Sequence, residues 1–371
     1  MRCLPPETSP AEGRSWLIER VWPAASAPLP VEVRAADGAE PVLRAGWFHP
    51  GEGTAVGMLK LLPAGEDPKL RALAAAAADG VVVSHRPAKR AVVRRETGRG
   101  TGNGAAAGAG SGGGGGTQFI KVVRPGRASD IVDGIRRAQA FDGPFRTPRV
   151  LASDESTVTF EALRGTSLHE AHRFSAHDWE VAWAQVLEAW ETTIQHPGEL
   201  PEGTPVHDAE AEIAVLRQWA QHAQTVIDDV ELLVEAVESA AHQLQEAPLG
   251  KLVPAHRDLH DKQLMWSPDH GAGILDVDTA CLAPPALDLA NLRAHARWRA
   301  EQGVWTLEQS AAVVRAINDT AYRAGVAQDT LSAYEQATLL RLGCVYAFRP
   351  RYAAAAAELR CSLLPAPASR G

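Results

Sequence analysis

The hydrophobic period of the chain changes once, near Gly165. Before it, short runs of mixed apolar and polar residues sit between Pro and Gly clusters. SWLIERVW, PVEVRAA, PVLRAGWF and TAVGMLKLL fall within residues 14–62, and GVVVSH, RAVVRRE and TQFIKVV follow. Runs of this length and pattern predict strands. After it, apolar residues recur three and four positions apart. In SAHDWEVAWAQVLEAWETTIQH (175–196), Trp179, Trp183, Val186, Leu187, Trp190 and Ile194 share one helical face, and Ser175 is placed to cap it. These tryptophans read as core. Residues 208–245 repeat the pattern through Ile213, Leu216, Ala220, Ala223, Ile227, Val230, Val234 and Val237. Helices are also expected near 286–302, 306–324 and 328–347. A sheet-rich half followed by a helical half predicts an α+β chain of two lobes with a cleft.

Within the first half, residues 14–62 read as a small antiparallel sheet. Residues 67–80 read as a helix with Asp67 near its start and Gly80 past its end. A helix over 129–141 and a hairpin over 148–163, turning at Asp154-Glu155-Ser156, complete it. The tract GRGTGNGAAAGAGSGGGGGT (98–117) cannot bury a core. It runs directly into a strand, where a phosphate cradle needs a helix start or tight turn, so it reads as a flexible insert.

Composition narrows the function. The length of 371 residues suggests two or three units. With 45% hydrophobic and 22% charged residues, the chain reads as globular. It shows no apolar run long enough for a membrane span and no apolar leader. Cys3, Cys281, Cys344 and Cys361 are too scattered for a disulfide framework or a zinc site, so a reducing cytoplasm is expected. A net charge of −8 argues against nucleic acid as a partner and is compatible with a cationic small substrate.

The chemistry gathers in VPAHRDLHDKQLMW (253–266). A zinc site would use His256, His260 and His270. Four-residue spacing aligns two imidazoles only on a helix, and Pro254 points to a strand running into a loop. A solvated charge cluster would not be bracketed by Leu252, Val253, Leu264, Met265 and Trp266. The remaining reading is phosphoryl transfer. It needs an Asp facing the acceptor hydroxyl, a carboxamide five positions on, a second Asp beyond a hairpin, and an upstream strand Lys. Lys121, Asp258, Gln263 and Asp276 follow one another along the chain in the order this requires.

HRDLHDKQ (256–263) followed by ILDVD (274–278) resembles the catalytic loop and metal-binding segment of the aminoglycoside phosphotransferase and choline kinase-like family, which has a bilobal protein kinase-like fold. PALDLANL (285–292) is similar to the helix that follows. The resemblance covers roughly residues 81–350. It implies a β-rich N-terminal extension over 1–80, a kinase-like N-lobe over 81–164 and a helical C-lobe over 165–371. It also implies roles. Asp258 would orient and deprotonate the acceptor. Gln263 and Asp276 would hold Mg²⁺, and Asp278 would either assist a second ion or stay exposed. Lys121 would meet the α- and β-phosphates of ATP or GTP. The backbone of Glu161, Ala162 and Leu163 would face the purine. His256 would anchor the loop, Asp288 would bind its backbone, and the HRPAK turn (85–89) would lie over the phosphates.

Some residues depart from the family pattern. Gln263 stands where Asn is usual. Arg257 stands where Gly is common and matches protein kinases, where it meets a phosphorylated loop. Only eleven residues separate Asp276 from Asp288, too few for that loop, so Arg257 reads as structural. The helix after Lys121 offers Asp130 and Asp133 where the lysine's partner would be Glu. His207 and Asp208 read as capping residues, and Asp261 and Lys262 are expected to face solvent or acceptor. The resemblance implies a kinase acting on a hydroxyl of an aminoglycoside, sugar or amino alcohol. The alternatives are a nucleotide-binding pseudokinase scaffold, or a peptide Ser/Thr hydroxyl kinase with a protein partner.

Overall fold

In the computed structural model the described residues are 4–38, 43–51, 57–97, 116–197, 200–248 and 250–363. The Gly-rich insert lies outside them, except for Gly116 and Thr117, as do residues 39–42 and 52–56 beside two expected strands. The chain forms two compact units. One comprises Thr8–Val132 and Pro148–Ala162, and the other Met1–Glu7, Asp133–Thr147 and Leu163–Gly371.

The first unit contains two antiparallel sheets. β1 (Thr8–Ala11), β2 (Arg14–Val21), β3 (Leu29–Ala35), β4 (Leu43–His49) and β5 (Met58–Leu61) form a meander in chain order. Alternation places Trp16, Ile18, Leu29, Val31, Val33 and Phe48 together in its core. β1 escapes the sequence pattern because its run is short and contains Pro10, which an edge strand tolerates.

After the short helix α1 (Leu73–Ala77) come β6 (Gly80–Arg86), β7 (Arg90–Thr97), β8 (Gly116–Val123), β9 (Val150–Ser153) and β10 (Thr157–Glu161). They pair in the order β6-β7-β8-β10-β9. Leu70, Leu73 and Ala76 cover Ala91, Val93, Ile120 and Val122 on one face. The two sheets are joined by Glu32, which accepts hydrogen bonds from Ser84 Oγ (3.2 Å) and His85 N (2.6 Å).

The helix expected over 67–80 is shorter, because Asp67 is used otherwise. Its carboxylate accepts from the backbone N–H of Lys69 and Ala88 and meets His85 Nε2 at 3.0 Å. A side chain committed to three such partners holds a turn, and helix begins only at Leu73.

The second unit is mostly helical. α2 (Ala128–Arg137) leads into it and ends in a 3₁₀ turn, Ala138–Phe141. β11 (Thr166–Ser167) precedes α3 (Ala176–Gln195), whose expected tryptophan face is buried and whose N-cap is Ser175, accepting from Asp178 N at 3.0 Å. The periodic stretch 208–245 divides into α4 (Ala209–Ala223) and α5 (Val230–Glu246). Thr225 Oγ1 donates to His222 O at the break, tightening the last turn of α4.

β12 (Val253–Ala255), β13 (Leu264–Ser267), β14 (Gly271–Ile274) and β15 (Cys281–Ala283) follow, then α6 (Ala286–Glu301), α7 (Leu307–Arg323), α8 (Gln328–Tyr346) and α9 (Ala353–Leu363). α6 is buried except at Arg297, Ala300 and Glu301. α9 has no counterpart in the sequence reading, since its alanine run carries little amphipathic pattern. Among the described residues, no helix is long and apolar enough to cross a membrane.

Candidate active site

β12 is fully buried and pairs with β15, so the chain leaves it at His256 from a fixed point. A 3₁₀ turn over Asp261–Gln263 leads into the β13–β14 hairpin, whose register sets Leu264 opposite Ile274. Gln263 just before this hairpin and Asp276 just after it are therefore neighbours. Leu275 N donates to Gln263 O at 2.8 Å, and Gln263 Nε2 reaches Asp276 Oδ2 at 3.5 Å. Asp276 has φ 58° and ψ 37°, in the left-handed region, and turns the chain into the 3₁₀ segment Val277–Thr279. Asx residues tolerate that region better than most.

The loop backbone is held from α6. Asp288 accepts from the N–H of His256 (2.8 Å) and of Arg257 (2.9 Å). Asn291 Nδ2 donates to Leu259 O (2.7 Å) and Thr279 Oγ1 to His256 O (3.0 Å). His256 Nε2 lies 2.8 Å from Leu275 O, tying the loop to the segment that carries Asp276. Burial pushes the Asp288 carboxyl above its ordinary range, while His256 and the two N–H groups pull the other way. Arg257 is exposed at φ 75°, in the left-handed region that favours glycine. Asp258 follows it at the surface.

Asp261 does not face solvent or acceptor. It is 1% exposed. Arg299 Nε donates to both of its oxygens (3.0 and 2.9 Å), and His169 Nδ1 lies 2.5 Å from Oδ2. Burial alone would raise this carboxyl. Arg299 and His169 outweigh it and hold Asp261 well below the usual carboxylate range. Arg299 also donates to Tyr346 Oη at 3.1 Å. Burial raises that phenol, but Arg299 overrides it and brings the pKa to about 8. His295 is driven well below its ordinary pKa by burial, His260 and Arg299, and it stacks against His260 with centroids 4.7 Å apart.

Asn291, His295 and Arg299 were missed in the sequence. The signal was there: with Asp288 they form a polar stripe at spacings of three and four, although Arg293 and Arg297 beside it blur the pattern. Lys262 alone of this pair is exposed.

The other singled-out residues fall as follows. Lys121 lies in β8, opposite Val92 and Val158. Glu161 N donates to Arg149 O and Ala162 N to Thr117 O, so both N–H groups are spent within the sheet. Leu163 lies beside Gly273, where an added Cβ would come 3.1 Å from its Cδ1. Asp278 is half-buried, and its backbone packs against Gly134, where a Cβ would fall 2.2 Å from Asp278 O. Asp130 and Asp133 pair with Arg127 (3.1 Å) and Arg136 (2.9 Å). Asp208 caps α4, while His207 is buried against Glu212 at 2.8 Å.

The three histidines weighed as zinc ligands are otherwise engaged or apart, with His270 exposed in the β13–β14 turn. Among the described residues no three His, Cys, Asp or Glu side chains group as metal ligands. The Gln263–Asp276 pair still suits Mg²⁺, which takes one or two protein oxygens and completes its octahedron with phosphate and water. The Gln263 amide would turn to present Oε1 in place of Nε2, a swap of nearly isosteric groups.

Residues 110–339, more than half of the chain, match the phosphotransferase enzyme family. No curated protein sequence matches the chain. A thermostable mutant of aminoglycoside phosphotransferase APH(4)-Ia, in ternary complex with AMP-PNP and hygromycin B, is 14% identical. It covers 77% of this chain and 92% of its own, with a TM-score of 0.52. APH(4)-Ia itself gives 13% identity, coverage of 77% and 92%, and a TM-score of 0.52. APH(3'')-Id from Streptomyces rimosus ATCC10970 is 20% identical over 72% of this chain and 96% of its own, with a TM-score of 0.48. The APH(4)-Ia structures establish the kinase-like fold, and by the extent of the family match the chain belongs to the phosphotransferase enzyme family.

Proposed function

We propose that this chain transfers the γ-phosphoryl group of ATP or GTP to a hydroxyl of an aminoglycoside, sugar or amino alcohol. The observation that carries this reading is the convergence of Gln263 and Asp276 at the foot of one hairpin, on a loop whose backbone Asp288 clamps beside Asp258. Asp258 accepts a hydrogen bond from the acceptor hydroxyl and takes its proton as the oxygen attacks the γ-phosphorus. The bond to the β–γ bridging oxygen breaks, and its electron pair leaves with the nucleoside diphosphate. Mg²⁺, held by Gln263 and Asp276 with Asp278 in reserve, would neutralise phosphate charge as it shifts. Lys121 is assigned to the α- and β-phosphates. With the N–H groups of Glu161 and Ala162 spent, the purine-facing donor narrows to Leu163.

A second reading, nucleotide binding without turnover, draws on Gln263, one methylene longer than the usual Asn. A peptide hydroxyl acceptor presented by a protein partner is the third. One measurement divides them once a Ser/Thr peptide is added to the acceptors: nucleoside diphosphate release with Mg·ATP and Mg·GTP across aminoglycosides, sugars, amino alcohols and that peptide. Turnover should stop in EDTA. Asp258→Asn should lower kcat by about 10²–10⁴-fold with the melting temperature unchanged. Full activity in EDTA, or an Asp258→Asn chain as fast as the parent, refutes the proposal. Thermal stabilisation by nucleotide with no turnover on any acceptor favours the second reading.

A further inference from the structure

The turn that carries Gln263 is pinned by a side chain from outside the motif. Asp261 opens this 3₁₀ turn, and Gln263 N closes it on His260 O at 2.9 Å. The buried Asp261 carboxylate is reached from two sides: by Arg299 on α6, and by His169 on the segment after β11.

Arg299 alone leaves that carboxylate a freedom. Its Nε is the one guanidinium group that donates to Asp261, shared between the two oxygens at 3.0 and 2.9 Å. Its Nη1 is taken by Gln302 Oε1 (2.6 Å) and Tyr346 Oη (3.1 Å), and its Nη2 faces His295 Nδ1 at 3.3 Å. This is not the two-pronged fork that fixes the plane of a carboxylate. A carboxylate held by one N–H can rock about it. His169 Nδ1 meets Oδ2 alone, at 2.5 Å, and this second point of contact stops the rocking.

His169 is itself held in place. β11 pairs with β13, Ser167 opposite Met265, and Leu168 N donates to Leu264 O at 3.0 Å, one residue past Gln263. His169 N donates to Ser167 Oγ (3.3 Å), and His169 O accepts from Trp305 Nε1 (3.3 Å). The His169 side chain is 28% exposed, against 1% for Asp261 and 2% for Arg299, so it can be exchanged without hollowing the core. All these residues belong to one compact unit. Gln263 depends on such a fixed turn. Its side chain has one more rotatable bond than Asn, and ordering it costs more.

We infer that His169 is a positioning residue for the metal-binding turn: by fixing the Asp261 carboxylate it sets Gln263 beside Asp276. An outer partner of this kind acts through the ligand it orients. The inference rests on the proposed function for the assignment of Gln263 to Mg²⁺.

The first test needs no metal. Amide hydrogen exchange of the full chain in EDTA is read by NMR at Gln263 N–H and at Leu275 N–H, which donates to Gln263 O. His169→Leu removes the donor and should speed both by at least about tenfold. His169→Asn, whose Nδ2 falls close to the place of the imidazole Nδ1, should keep them near the parent. Ser175→Ala, which removes the cap of α3, should lower the melting temperature without singling out these two amides. Parent-like exchange in His169→Leu overturns the inference. So does a His169→Asn chain that exchanges as fast as His169→Leu, or an acceleration that Ser175→Ala reproduces. His169→Ala repeats the test should His169→Leu not fold.

The second test is calorimetric titration of Mg²⁺ into the full chain saturated with ADP. Binding should weaken by about tenfold or more in His169→Leu and stay at parent affinity in His169→Asn. Gln263→Ala separates the two claims. Unchanged Mg²⁺ affinity in Gln263→Ala counts against the metal role in the proposed function, and exchange then decides the role of His169. Weaker binding in Gln263→Ala with parent affinity in His169→Leu counts against the inference alone.

Discussion

In the loop after β12, charge is buried and paired; in the turn after β6, it is held at the surface. Asp261, Asp288 and Arg299 are each 1% exposed, and hydrogen bonds to one another or to backbone satisfy them. Lys89 and Arg90 are exposed, and one buried carboxylate, Asp67, fixes the turn beneath them. The loop has spent its buried charges on position and leaves Asp258 and Asp276 at the surface. The turn is held by the Asp67 carboxylate and by Arg124 Nε on Ala88 O, and it presents Lys89 and Arg90 to solvent. Buried charge is costly to leave unpaired, whereas exposed charge is tolerated in water. The two regions should therefore respond differently to the same perturbation.

The largest difference is expected on breaking the buried pair. Arg299→Met should cost about 3–5 kcal/mol of unfolding free energy, read by denaturant titration. Adding Asp261→Leu should restore much of it, because no uncompensated charge then remains. Lys89→Ser/Arg90→Ser should stay close to the parent in the same titration. An Arg299→Met chain as stable as the parent would erase the distinction between the regions.

Acid should separate them next. The folded pKa of His295 lies well below its ordinary 6.5. A depressed pKa means stability present above pH 6.5 and lost as the pH falls below it, by up to about 1.4 kcal/mol per unit. Asp261 is depressed as well, from an ordinary 3.8, so its contribution is lost only at more acidic pH. The melting temperature should therefore fall in two stages from pH 6.5 downward. His295→Gln should shrink the first stage, leaving the share of His260, which burial also lowers. Identical curves for parent and His295→Gln would remove His295 from the network.

The smallest effect sharpens the comparison at a single backbone position. Arg257→Gly relieves a left-handed conformation that costs an L-residue about 1–2 kcal/mol. It adds unfolded-chain freedom worth about 0.5–1 kcal/mol. Net stability should move by no more than about 1 kcal/mol. A loss well beyond that, measured by denaturant titration, would show that the guanidinium helps neutralise buried Glu212, whose carboxyl it helps to lower.

Much of this was legible in the chain because the signals were local. The tryptophan face of α3 and its Ser175 cap follow from helical spacing alone. Asp288 was read in its place through the motif that carries it. The reading failed where a partner lay far along the chain. Asp67 looked like a helix start, yet it serves His85 and Ala88, eighteen and twenty-one residues on. Asp261 sat among polar neighbours and looked exposed, but its partner Arg299 is thirty-eight residues away.

By itself the sequence determined the change from strands to helices and the order of Asp258, Gln263 and Asp276. Periodicity and motif spacing are properties of neighbouring residues. Only tertiary structure decided which charges are buried and how the β13–β14 register brings Gln263 to Asp276. Those outcomes depend on pairings between distant segments, whose energies no local window contains.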